Sequence, residues 1–262
     1  MTVTPSALHH DDAADSSLTG LVRIADTVLL LSHRLSQWVS RAPTMEEDVA
    51  LANIALDLLG QARGLLTRAG ELEGRGRDED ALAYLRDAGE YRNLLLVELP
   101  NGDFAHTVLR QFFVDAWLAL LWPRLARVTD AVVSGVAEKA VKENAYHLRH
   151  SAGWVVRLGD GTDESRNRML TALSELWPFT GELFECDAID EATALAGVAV
   201  RPCELEDGWR RRVHEVLTEA SLPVPTDPAF QTGGRRGRHS EHLGYLLAEM
   251  QFLQRAYPGA QW

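Results

Sequence analysis

Apolar residues recur along this chain at steps of three and four, the spacing of helices with one buried stripe. Leu21, Ile24, Val28, Leu31, Leu35 and Trp38 make the first stripe. Pro43 disfavours helical geometry at the residue before it, so "RAPT" closes that helix. Thr44 then opens a second as N-cap, with Glu47 three positions on to complete a capping box. This second helix is expected over about 45–70, with Ala52, Ala55, Leu56, Leu59, Ala62 and Leu66 buried and Gly70 as its stop.

A charged stretch with room for a short helix at 79–87 leads to the turn signal "LPNGD" at 99–103. A third long helix follows over about 103–129 on Phe104, Val108, Phe112, Leu118 and Trp122, with Pro123 as a kink or break. The fourth covers about 131–158, and shorter helical patterns lie at 162–182, 206–220 and 239–256. A Pro- and Gly-rich connection joins the last two, and neither strand alternation nor a glycine-rich phosphate loop is visible. The pattern predicts an all-α fold, a bundle of four long helices with additional C-terminal helices. Residues 1–18 read as a flexible, polar N-terminal tail and 19–262 as the bundle with its C-terminal helical extension.

Charge narrows the function classes. With a formal charge of −12 and a pI near 5.2, the chain lacks the basic footprint for a sequence-independent grip on nucleic acid or on an anionic membrane surface. No uninterrupted apolar run approaches a membrane span: "FFVDAWLALLW" at 112–122 is broken by Asp115 and closed by Pro123. The N-terminus has neither the basic region nor the apolar run of a secretory signal. Cys186 and Cys203 are the only cysteines, too few for a disulfide framework though free to pair with each other in an oxidising compartment, and a cytoplasmic location is expected.

The long helices carry candidate chemistry. A di-iron bundle takes one Glu from each of two helices and a Glu-x-x-His from each of the other two. Two irons bring about four positive charges or more into a low-dielectric core, and carboxylates must offset them. In the second helix Asp57-x-x-Gly60 lacks a second ligand and Leu58-x-x-Gln61 offers one neutral amide. In the fourth, Glu143 is followed at i+3 by Tyr146, and Asn144 stands where a Glu would precede His147. The pairs Asp57/Gln61 and Glu143/His147 still share one face each, and Asp115 can join them, but the first helix supplies no obvious Glu. Asp57, Gln61, Asp115, Glu143 and His147 therefore read as vestigial polar residues of a ligand-poor site, with Arg63, Lys142 and Tyr146 as expected donors to the two aspartates.

Two further stretches carry expectations. Arg235, Arg236 and Arg238 form a basic spot ahead of a helix start, suited to an anionic ligand or a carboxylate-rich partner, or else to solvent. His239-x-x-His242 has zinc-like spacing but no third ligand in sight. Trp117, Trp122, Trp154 and Trp177 read as core or interface anchors.

Four segments, "LANIALDLLGQAR", "KENAYHLRHSAGWVVRLGDGT", "ALSELWPFTGELF" and "GRRGRHSEHLGYLLAEMQFLQRAYPGAQW", occur in an order that resembles the structural C subunits of phenylacetyl-CoA epoxidases. The resemblance covers about residues 20–262 and implies a ferritin-like fold. It implies a chain without catalytic, cofactor or metal residues of its own, working beside a catalytic A subunit that holds the di-iron site. A small bridging B subunit and an NADPH-dependent reductase are the further partners it implies. Leu58, Gly60, Gln61, Asn144 and Tyr146, which break the metal motifs, agree with that role. Two readings remain beside it: a CoA-binding or regulatory helical module using the Arg235–Arg238 spot, and an independent metal oxidase built on Asp57, Asp115, Glu143 and His147.

Overall fold

The computed structural model describes residues 6–226 and 231–260, with side chains from residue 15 onward. Four long helices dominate: α1 (Ser6–Ser36), α2 (Met45–Glu73), and, after two short helices α3 (Glu79–Tyr84) and α4 (Leu95–Glu98), α5 (Phe104–Leu125) and α6 (Ala131–Gly159). α1 packs along α2, α5 along α6, and α2 meets α6 to close the bundle. α7 (Asp163–Leu176), α8 (Ala188–Leu195), α9 (Glu206–Glu219), α10 (Glu241–Met250) and α11 (Phe252–Ala256) surround it. The fold is all-α, and no strand occurs among the described residues.

The boundaries follow local chemistry. Thr44 Oγ1 accepts from Glu47 N at 3.3 Å and starts α2, while the Glu47 carboxylate reaches across to His150 rather than back to the cap. Asp103 caps α5 through His106 N at 2.9 Å, and Asp130 caps α6 through Val132 and Val133. Pro123 lies inside α5, which ends two residues later at Leu125, short of the expected 129. Being in the last turn, it displaces only one intrahelical bond.

Several expectations need correction. α1 begins at Ser6, far earlier than the Leu21 start of its apolar stripe; residues 1–5 lie outside the described residues. α2 buries Leu51, Ile54, Ala55, Leu58, Ala62, Leu65 and Leu66, whereas Leu56 is 65% and Leu59 36% exposed. Leucines lie on more than one side of this helix, so two overlapping stripes compete, and the one centred on Leu58 faces α1 and α6. By length and composition alone α2 would also cross a membrane, but here half of that stretch is already buried inside the bundle. α8 and α4 were not foreseen, because both are shorter than the periodicity needed to see them.

The core is continuous from the α1–α2 hairpin through α5 and α6 to α9. Trp117, Trp122 and Trp177 are buried in it, and Trp154 lies half-buried, edge-on to Phe104 at 5.0 Å. Gly64 lets α2 and α6 close: a Cβ there would sit 2.6 Å from Val136.

Candidate functional site

The bundle's middle, where helices of this arrangement can present ligands to one another, is filled by side chains that bind each other. His147, wholly buried on α6, places Nε2 3.1 Å from Asp57 Oδ2 on α2. A carboxylate only accepts, so Nε2 carries the hydrogen. One turn away Gln61 Nε2 donates to Glu143 Oε2 at 3.0 Å, and Lys139 Nζ lies 3.0 Å from Glu143 Oε1. Toward the start of α2, His150 Nε2 lies 2.7 Å from Glu47 Oε2, and at its far end Arg68 Nε donates to Asp130 Oδ2 at 2.8 Å. These contacts form a ladder along the α2–α6 seam.

Asp115 of α5 sits behind that ladder, wholly buried. Gln111 Nε2 donates to its Oδ1 and Ser151 Oγ to its Oδ2, each at 2.7 Å. Asn144 Nδ2 donates to the Asp115 backbone carbonyl at 3.0 Å, linking α6 to α5. Burial pushes the Asp115 carboxyl up to about 6, against the opposing pull of His147, Ser151 and Gln111.

The expected donors for these aspartates are therefore replaced. Asp57 meets His147 and Asp115 meets Gln111 and Ser151, where the sequence pointed to Arg63, Lys142 and Tyr146. Arg63 pairs with Glu79 at 2.9 Å, and Tyr146 and Lys142 face solvent. Gln111, Ser151 and Glu47 were missed. Gln111 and Ser151 are neutral and lie outside any metal-motif spacing, although Gln111 precedes Asp115 by one turn.

The donor set does not fit a di-iron centre. Gln61 Oε1, Gln111 Oε1, Asn144 Oδ1 and His147 Nδ1 are buried without a protein partner, but three are neutral amide oxygens, poor compensation for two multivalent cations. The buried carboxylate of α1, Asp26, is turned away, held by Arg86 at 3.0 Å and by Arg92 N at 2.8 Å. Among the described residues no three His, Cys, Asp or Glu side chains are grouped to hold a metal ion.

The arginine spot is mostly internal. Arg235 is buried, with Nη2 2.5 Å from Asp190 Oδ1, and Arg236 pairs with Glu185 at 3.1 Å; Arg238 is exposed. The anion at the helix start is the chain's own Glu98, which accepts from Ser240 N at 2.6 Å beside the Ser240 cap of α10. His239 is committed as well, with Nδ1 2.8 Å from the same Glu98 and Nε2 3.0 Å from Tyr91 O. Glu182, equally buried, accepts from the backbone of Leu95, Gly233 and Arg235, fixing the chain that leads into this spot. The cysteines also depart from expectation. Cys186 and Cys203 form a disulfide with Cα atoms 5.8 Å apart, because the turn before α8 and the turn before α9 meet.

Known proteins match the chain over nearly its whole length. The family model described as "Phenylacetic acid catabolic protein" matches residues 1–262. A curated relative, the C subunit of 1,2-phenylacetyl-CoA epoxidase from Escherichia coli (strain K12), is 52% identical over 241 residues, covering 92% of this chain and 97% of that protein.

Proposed function

The chain belongs to the phenylacetic acid catabolic protein family, and from that premise we propose that it is the non-catalytic, structural and activating subunit of an oxygenase that epoxidises phenylacetyl-CoA. A role in phenylacetate catabolism comes with the family; the finer assignment rests on the site. The observation that carries it is the α2–α6 seam, where side-chain pairs and neutral amides occupy the position a ferritin-like bundle uses for metal. In this reading a separate catalytic subunit holds the di-iron centre, a small bridging subunit joins the pair, and an NADPH-dependent reductase delivers electrons in the cytoplasm.

An apolar surface supports the pairing. Met45, Val49, Leu56 and Leu59 are exposed along one side of α2, with Tyr146 exposed on the neighbouring α6. Stable protein interfaces are built around such apolar centres with a polar rim. Lys139, Lys142 and Arg149 lie exposed on α6 beside Glu138, with Glu46 exposed on α2, so the apolar residues are edged by charges of both signs. The occupant is accordingly an apolar helix face with a polar rim.

Co-expression with the catalytic subunit tests the proposal. The wild-type chain co-purifies with it and raises epoxidase turnover, and Leu56→Asp with Leu59→Asp lowers both while the chain alone keeps its melting temperature. Full turnover by the catalytic subunit with no help from this chain would overturn the reading.

A further inference from the structure

Residues 187–202 form a strap between the two cysteines. It carries α8 across α1, and its fastenings are specific. Arg23 of α1 lies 2.6 Å from Asp187 and 3.2 Å from Asp190, Asp190 also holds Arg235, and Thr193 donates to Ser16 O at 3.1 Å. Gly20 makes the approach possible, since a Cβ there would sit 2.7 Å from Thr193. The strap thus ties the N-terminal helix to the segment that precedes α10.

Both ends of the strap close on the disulfide, and both cysteines are solvent-exposed. An accessible disulfide is open to attack by a thiolate, unlike one sealed in a core. It is also dispensable for folding at large, because a chain of 262 residues with a continuous core does not need the staple that a small secreted domain needs. Closing a loop of sequence separation 17 acts on that loop and its contacts, not on the distant α5–α6 hairpin.

We propose that Cys186 and Cys203 are a reversible redox latch that sets how firmly the 187–202 strap is held on α1. A low-molecular-weight dithiol opens it: one thiolate attacks a sulfur, a mixed disulfide forms, and the second thiol resolves it. The protein disulfide gains two electrons and two protons to become two thiols, and the dithiol becomes its own disulfide. A low-molecular-weight disulfide reverses the step. The Arg23 and Arg235 ion pairs persist in both states, so opening loosens the strap without detaching it.

Hydrogen exchange of the full-length chain, followed by mass spectrometry, tests the latch in three samples: oxidised with a small disulfide, reduced with a dithiol under native conditions, and Cys203→Ser. Thiol alkylation reads the state of each. The reduced wild type takes two labels and the oxidised form none. Amides of 188–202 and of the facing part of α1 exchange at least about tenfold faster when reduced, α5 and α6 do not change, and Cys203→Ser matches the reduced form whatever the redox treatment. Equal exchange in both forms overturns the proposal. So does a pair that the dithiol cannot open natively, or one that the small disulfide cannot close.

Discussion

Asp115 illustrates how burial sets a residue's behaviour. Its carboxyl is wholly buried and met by two neutral donors, and its affinity for a proton rises from the ordinary 3.8 to about 6. A raised acid means the folded state binds the proton more tightly than the unfolded one. Stability is therefore lost as pH rises from 3.8 through 6, reaching about 3 kcal/mol above that range. Asp115→Asn removes this loss: urea unfolding at pH 5 and pH 8 should show the variant gaining about 1–2 kcal/mol on wild type between the two. His33 works in the opposite sense. Burial lowers it from 6.5 to about 4, so its contribution is present above pH 6.5 and lost as pH falls toward 4. His33→Gln should shrink the acid-side loss in the same titration. Neighbouring leucines on α2 separate packing from display: Leu58→Ala should cost about 2–5 kcal/mol, and Leu59→Ala no more than about 0.5 kcal/mol, both measured by urea unfolding. The sequence placed Leu59 in the core and left Leu58 unassigned, since leucines on more than one side of α2 blur its periodicity.

At the scale of elements, the long helices were legible from their sustained stripes, and most sharply where a cap marks the start, whereas α1 begins well ahead of its stripe. Thr44 and Asp130 act as caps in the structure, and the expected spans of α2 and α6 lie within a few residues of those observed. What composition hid was the cross-chain pairing. Glu47 looked like the second half of a capping box and instead joins His150 of α6. The arginines near residue 235 looked like a free basic spot, yet Arg235 is spent on Asp190, 45 positions away in sequence. Such partners come together only when the chain folds, and no local rule names them. The α1–α8 junction gives a direct test. Asp190→Ala leaves buried Arg235 without its carboxylate and Arg23 with Asp187 alone, and the loss should be about 3–5 kcal/mol, read by chemical denaturation. The ladder of the α2–α6 seam was half legible: the sequence supplied Asp57, Gln61, Glu143 and His147 and their shared faces, but not which of them would meet.

For the whole molecule, an all-α bundle with a net charge of −12 displays one apolar side, and the proposed pairing with a catalytic subunit rests on it. Metal chemistry would require carboxylates where Leu58 and Asn144 stand and an imidazole where Gln61 stands; instead Gln61 and Asn144 join helices by hydrogen bonds. The central claim is that this bundle is closed by its own side chains and holds no di-iron centre. The iron and manganese content of the chain, expressed alone with iron supplied and stripped of loosely bound metal, tests it most directly. The account predicts a content near zero, with the chain folded and competent to join its catalytic partner. About two metal ions per chain would contradict it, because a di-metal centre would then exist on a donor set too poor in charge to stabilise one.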